Sequence, residues 1–234
     1  MRTKLTALIV ACLALLAGAG AQAAPIPVAN YTFQAMGDVS AFHKVAGTNC
    51  KRKWAGNQAL GLTVGNDTNF CMFRSSVIAD SSATFADLGM VASTRVSGGN
   101  GKLQKKAFVG VVVRRNDNAG YILRVLPNAQ KWQYFRDPAG ADGQKLEASG
   151  SGKFIKGGRK ANTVSLRAFA NGGTTTSVIG SVNGRGVVST TDSAADQPDG
   201  RQTALTTGAK GSGAGTGIMG LFDNVIVQVP NPFG

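Results

Sequence analysis

The chain has 234 residues, of which 43% are hydrophobic, and a formal net charge of +13. A single histidine (His43) and a single glutamate (Glu147) argue against a histidine-rich zinc centre and against a glycosidase built on two glutamates. Its 32 glycines are scattered, which fits many tight turns rather than a collagen repeat.

The chain opens like an export signal. Arg2 and Lys4 form a basic start, Leu5 to Leu16 is apolar, and Ala21-Gln22-Ala23 is an A-x-A cleavage site. The apolar run is too short for a spanning helix. A second reading takes Ile9-Val10-Ala11-Cys12 as a lipobox with a lipid-modified Cys12; it ranks lower, because almost no apolar stretch precedes the cysteine. Cleavage after Ala23 leaves residues 24–234 as one expected β domain with 23 basic and 12 acidic residues, a net charge of +11. No other segment is apolar and long enough to cross a membrane. The expected location is therefore secreted or periplasmic. There a basic protein meets acidic polysaccharide, anionic lipid or extracellular DNA, although a solvated basic surface without a partner explains the charge equally well.

Beyond the leader, residues 31–35 begin the pattern of short strands. Lys51-Arg52-Lys53-Trp54 is a basic cluster beside an aromatic, as is the run from Lys102 to Lys106. Neither belongs to a nucleic-acid motif, so both are expected as solvated loops and no nucleic-acid partner is expected. Cys50 and Cys71 are the two cysteines left after cleavage, and in an exported chain an isolated pair is most simply a disulfide. Residues 58–64 and 69–74 read as a hairpin across Gly65-Asn66-Asp67, and 84–96 as a long strand.

Residues 107–136 carry the strongest signal. Three runs rich in valine, isoleucine and aromatics, 107–115, 121–126 and 131–136, are separated by Asn116–Gly120 and by Pro127-Asn128. Segments 145–149, 162–170, 174–182, 185–190 and 217–229 follow, bounded by glycine or polar clusters. No window after the leader sustains a helical period. The expected class is all-β: a two-sheet antiparallel β-sandwich, or jelly roll.

The order of these pieces resembles the concanavalin A-like lectin/glucanase superfamily, and within it the laminin G-like and 3-keto-disaccharide-hydrolase-like jelly rolls. The resemblance lies in Gly110-Val-Val-Val-Arg114 followed by Asn116-Asp117 and Gly120-Tyr121. Trp132-Gln-Tyr-Phe-Arg136, Lys145-Leu-Glu-Ala-Ser-Gly150, Asn162-Thr-Val-Ser-Leu-Arg167, Ser181-Val-Asn-Gly184 and Phe222-Asp-Asn-Val-Ile-Val227 continue it. It covers about half the chain. Ala161 stands where the family often has tryptophan, and residues 24–106 match nothing in it. The resemblance implies a jelly roll, a fold that hosts lectins, hydrolases and adhesion modules alike.

Catalytic constellations are thin. Asp117, Asp137 and Asp142 are candidate carboxylates, but all three sit in turn-like contexts where such side chains bond the local backbone. No Gly-x-Ser-x-Gly elbow accompanies His43, and Gly150-Ser-Gly152-Lys153 lacks the spacing of a phosphate loop. Calcium is the one metal kept open, with Asp192, Asp196 and Asp199, or Asp223, as candidate oxygen donors; a solvated acidic loop is the alternative.

The aromatic and basic residues of the three-strand region form the candidate ligand surface. Alternation puts Trp132, Tyr134 and Arg136 on one strand face, and Lys131, Gln133 and Phe135 on the other. Tyr121, Arg114 and Arg124 on the neighbouring strands complete the set. Sugar rings stack on flat aromatics while arginine donates paired hydrogen bonds. Alternation does not say which face is buried, so Trp132 and Tyr134 as core residues remain the open alternative. The expected function is non-catalytic glycan binding that favours acidic polysaccharide. The alternatives are a hydrolase or lyase on modified disaccharides, and a structural or adhesion module.

Overall fold

The computed structural model describes residues 26–56, 58–65, 69–76, 87–99, 101–116, 119–137, 144–171, 174–211 and 217–229. The leader with Cys12, and the candidate carboxylates Asp117 and Asp142, lie outside them.

Two antiparallel sheets face each other, as a two-sheet sandwich requires. The seven-stranded sheet runs β10 (Lys145–Ser151), β9 (Lys131–Asp137), β8 (Gly120–Leu126), β7 (Ala107–Arg115), β14 (Gln202–Ala209), β5 (Phe70–Ser75) and β2 (Phe42–Ala46). The eight-stranded sheet runs β13 (Arg185–Asp192), β12 (Thr175–Val182), β11 (Asn162–Asn171), β6 (Leu88–Gly98), β15 (Ile218–Val229), β4 (Leu60–Thr63) and β3 (Lys51–Trp54), with β1 (Ile26–Tyr31) paired to β15. Two short helices, α1 (Met36–Ser40) and α2 (Gly101–Lys106), and a 3-10 turn at Pro127–Ala129 interrupt the strands.

The meander of β7, β8 and β9 appears where valine density and turn residues place it. Its second turn closes because Gln130 takes a left-handed conformation at φ 48° after Pro127. Val109, Val111, Val113, Tyr121, Leu123, Val125 and Tyr134 point between the sheets. They meet Val164, Leu166, Val178 and Val182 from the other layer, and burial of this apolar surface drives the stacking.

Several expectations are corrected. β4 and β5 do not form a hairpin: β4 pairs with β3 and β15, whereas β5 pairs with β2 and β14 in the other sheet. The chain crosses between layers at this point, and the Cys50–Cys71 disulfide staples the crossing across a sequence separation of 21. The basic run 51–54 is an edge strand, and 101–106 is a helix rather than a loop. A strand absent from the expected set, β14, occupies an interior position between β7 and β5.

Candidate functional site

The six residues expected to share a ligand surface divide between two faces. Trp132, Tyr134 and Arg136 do lie on one face of β9, but it is the face turned toward the second sheet. Tyr121 and Tyr134 are 0% and 3% exposed, with their rings stacked 6.5 Å apart inside the core. Burial pushes both phenols well above their usual pKa, and in Tyr121 the carboxylate it donates to adds to the rise. Trp132 is half-buried against the same core. Its indole covers Gly150 on β10, where a Cβ would stand 2.7 Å from Nε1. An outward-facing aromatic platform of Trp132 and Tyr134 is therefore replaced by core packing.

Arg136 and Arg114 tie down the acidic loop that follows β13. Arg136 Nε donates to Asp192 Oδ2 at 2.6 Å, and its Nη2 to Asp196 Oδ1 at 2.5 Å. Tyr121 donates to the same Asp192 oxygen at 2.8 Å. Burial works against the Arg136 charge, but bonds to Asp196 and Asp192 outweigh it and raise the pKa. The same contact holds Asp196 below the usual carboxylate range. Arg114 sits in a bulge at φ 50° and is turned inward to Thr176, which donates to Gln197 on the loop. Asp199 accepts from Asn116 at 3.1 Å. Asp223 accepts from the neighbouring Asn224 N–H at 2.7 Å, so each carboxylate offered for calcium accepts from a donor of the chain itself. Among the described residues, no group of three or more His, Cys, Asp or Glu side chains is placed to hold a metal ion.

The outer face of the seven-stranded sheet is different. Here Arg124 projects away from the core. Its guanidinium carbon lies over two rings, 4.4 Å from the centroid of Phe108 and 4.5 Å from that of Phe135. Gly110, opposite Arg124 in register, leaves room for the stem: a Cβ there would meet Arg124 Cγ at 3.2 Å and Leu123 O at 2.4 Å. Gln144 accepts one hydrogen bond from Arg124. Burial pulls the Arg124 pKa down to about 10, a loss limited by the nearby Asp137, so the side chain stays charged at neutral pH. Burial raises the Asp137 pKa in turn, opposed by Arg124 and Arg115. Arg115, one residue past the bulge, is turned to this outer side, where its Nε meets Met72 Sδ at 3.0 Å.

Along the same face β9 leads from Asp137 through Phe135 and Gln133 to Lys131. There a groove of about 510 Å³ opens between β9, β10 and α2. Lys105 and Lys106 come from α2, Lys131 from β9 and Lys210 from the end of β14, and all four are exposed. A backbone bond from Lys210 N to Lys106 O, 3.0 Å long, brings the last of them in. Leu126 and Leu146 supply apolar surface, while Gln133, Ser149 and Ser151 supply hydrogen-bonding groups. Among the described residues, no carboxylate lines it. Trp132 contributes at its margin. Alternation put Lys131 and Gln133 together, but α2 and Lys210 are far away in sequence and nothing local links them to β9.

No protein-family model and no curated protein matches the sequence. Solved structures do resemble it. The carbohydrate-binding module CBM66 from Bacillus subtilis is 16% identical, with a TM-score of 0.52, over 80% of this chain and 95% of that one. A protein of unknown function with a galectin-like fold, also from Bacillus subtilis, is 10% identical at TM-score 0.58, over 90% and 99%. The potassium-bound carbohydrate recognition domain of Emp46p is 10% identical at TM-score 0.58, over 87% and 95%. At these identities the likeness is one of fold, and that fold is consistent with the concanavalin A-like architecture which the motif order resembles.

Proposed function

We propose that this protein is an exported, non-catalytic carbohydrate-binding β-sandwich whose ligand is an acidic glycan held in the lysine groove. The observation that carries this reading is the lining of the groove: four lysines, two leucines and several small polar groups, with no carboxylate among the described residues to repel an anion. Lysine ammonium groups are mobile point charges that match carboxylates or sulfates in many positions. Leu126 and Leu146 offer apolar contact to sugar C–H faces, and the volume falls in the range of ligand clefts. Two of the structural neighbours, a carbohydrate-binding module and a carbohydrate recognition domain, support the ligand class. The leader and the disulfide support export.

Of the six residues expected at the site, Trp132 and Arg124 adjoin this surface and stay in the proposal. Tyr121, Tyr134, Arg114 and Arg136 act from within the sandwich by holding it together.

Titration calorimetry with polygalacturonate, dextran sulfate and a neutral glucan tests the reading. Binding of at least one acidic polymer is expected, weakening as salt screens the lysines. The double substitution Lys131→Glu, Lys210→Glu is expected to abolish it while the thermal midpoint holds. Binding of the neutral glucan alone, or full affinity in the double variant, would overturn the proposal. Turnover of a modified disaccharide would identify an enzyme instead.

A further inference from the structure

We infer that Arg124 recognises a carboxylate of the ligand, so that the surface selects uronate-bearing chains over chains that carry only sulfate or none. This rests on the carbohydrate reading above and deepens it.

Arg124 is 8% exposed, yet none of the ion pairs among the described residues includes it: both involve Arg136. Asp137 is close enough to favour its charge but forms no ion pair with it. A buried cation without a contacting counter-charge is costly; Arg114 bears that cost inside the sandwich on Thr176, whereas Arg124 bears it on the outer face, where a ligand can relieve it. The geometry also restricts what can satisfy it. The rings of Phe108 and Phe135 both crowd the guanidinium carbon, and the guanidinium N–H groups all point within its own plane, so new hydrogen bonds must arrive in that plane. One in-plane donor is used by Gln144, and Nε has no acceptor among the described residues.

A planar carboxylate suits such an edge because its two oxygens accept in the same plane, a match that lysine does not reproduce. The position fits a chain already lying in the groove. Gln133, which lines the groove, is the register partner of Arg124 on the same face of the sheet. The lysines would then accept any anion, while Arg124 distinguishes the kind.

The test compares polygalacturonate, its methyl-esterified form and dextran sulfate on the wild type and on Arg124→Lys, which keeps the charge but loses the fork. The substitution is expected to weaken polygalacturonate binding about tenfold or more, the scale of a lost charge-assisted hydrogen bond. Dextran sulfate affinity is expected to stay unchanged. If wild type binds polygalacturonate and Arg124→Lys binds it equally well, the inference falls and the groove reading survives. If wild type binds no acidic polymer, both fall. Should Arg124→Lys fail to fold, the wild type still decides. Its Arg124 Nε–H resonance is expected to shift on titration with galacturonate and not with galactose, and a resonance that galacturonate leaves in place overturns the inference.

Discussion

Arg136 and Arg124 sit on neighbouring strands, are almost equally buried, and do opposite things. Arg136 faces inward and is neutralised by two carboxylates of its own chain, Asp192 and Asp196. Arg124 faces outward and meets two phenyl rings and an amide oxygen. The first arrangement is closed: the cation has its counter-charges within the fold. The second leaves a cation that, among the described residues, forms no ion pair; Asp137 favours its charge without reaching contact. Burial and counter-charge do not suffice by themselves to set an arginine's role: Arg114, equally buried and in neither ion pair, is turned inward to Thr176, whereas Arg124 lacks an ion pair and also faces outward.

The comparison breaks most visibly if Arg136 is removed. Arg136→Ala would leave Asp192, itself 9% exposed at the side chain, as a buried carboxylate with no cation in contact, supported by Tyr121 and the Ala194 N–H. A loss of about 3 kcal/mol or more in urea denaturation is expected, the scale of an orphaned buried charge. A loss under about 1 kcal/mol would place this pair with surface ion pairs and dissolve the contrast with Arg124. Next in size is the covalent tie. Arg136 secures the end of the sandwich near the start of β14, whereas Cys71 pairs with Thr207 toward that strand's other end. Replacing Cys50 and Cys71 together by serine is expected to cost about 3 kcal/mol, by freeing the unfolded chain, and to leave glycan affinity unchanged.

Much of this contrast was not legible in the sequence, for definite reasons. The β7–β8–β9 meander could be read because its strands are dense in β-branched residues and its turns in Asn, Gly and Pro. That Trp132, Tyr134 and Arg136 share a face followed from alternation. Which sheet that face meets depends on partners more than 25 residues away, such as Val164 and Asp192. Arg114 was misread for a different cause: the bulge at φ 50° resets the alternation, so that Arg114 points inward and Arg115 outward. β14 escaped notice because Thr203, Thr206, Thr207 and Gly208 lack an apolar rhythm, and flanking strands rather than its own propensity hold it in place. The false hairpin across Gly65 shows the converse: turn residues mark where a strand ends, not which strand it joins.

A smaller effect sharpens the outer half of the comparison. Gly110→Ala would put a Cβ 2.4 Å from Leu123 O and 3.1 Å from Arg124 Cα. Backbone cannot yield as a side-chain tip does, so a stability loss of about 1–3 kcal/mol is expected. If the guanidinium must be held edge-on to act, this variant should also lose polygalacturonate affinity at temperatures where it remains folded. Unchanged affinity would show that the seat is needed for packing but not for recognition.

The smallest expected effect belongs to Asp196, the exposed partner of Arg136. Its folded-state pKa is lowered, chiefly by the hydrogen bond from Arg136. A lowered carboxylate contributes stability that is present above the ordinary carboxylate pKa, about 4, and is lost as pH falls through the folded value. The wild-type thermal midpoint should therefore decline more steeply below pH 4 than that of Asp196→Asn, while the curves run nearly parallel at neutral pH. Asp137 provides the opposite sign on the outer face. Its folded pKa is raised, chiefly by burial, so its contribution is present below about pH 4 and is lost as pH rises from there through the raised folded value; Asp137→Asn should remove that loss. Two aspartates with opposed slopes would confirm that the inner arginine draws its carboxylate into an ion pair while the outer one does not. Matching slopes would mean that Asp137 already serves Arg124 as Asp196 serves Arg136, leaving no charge for a ligand to answer.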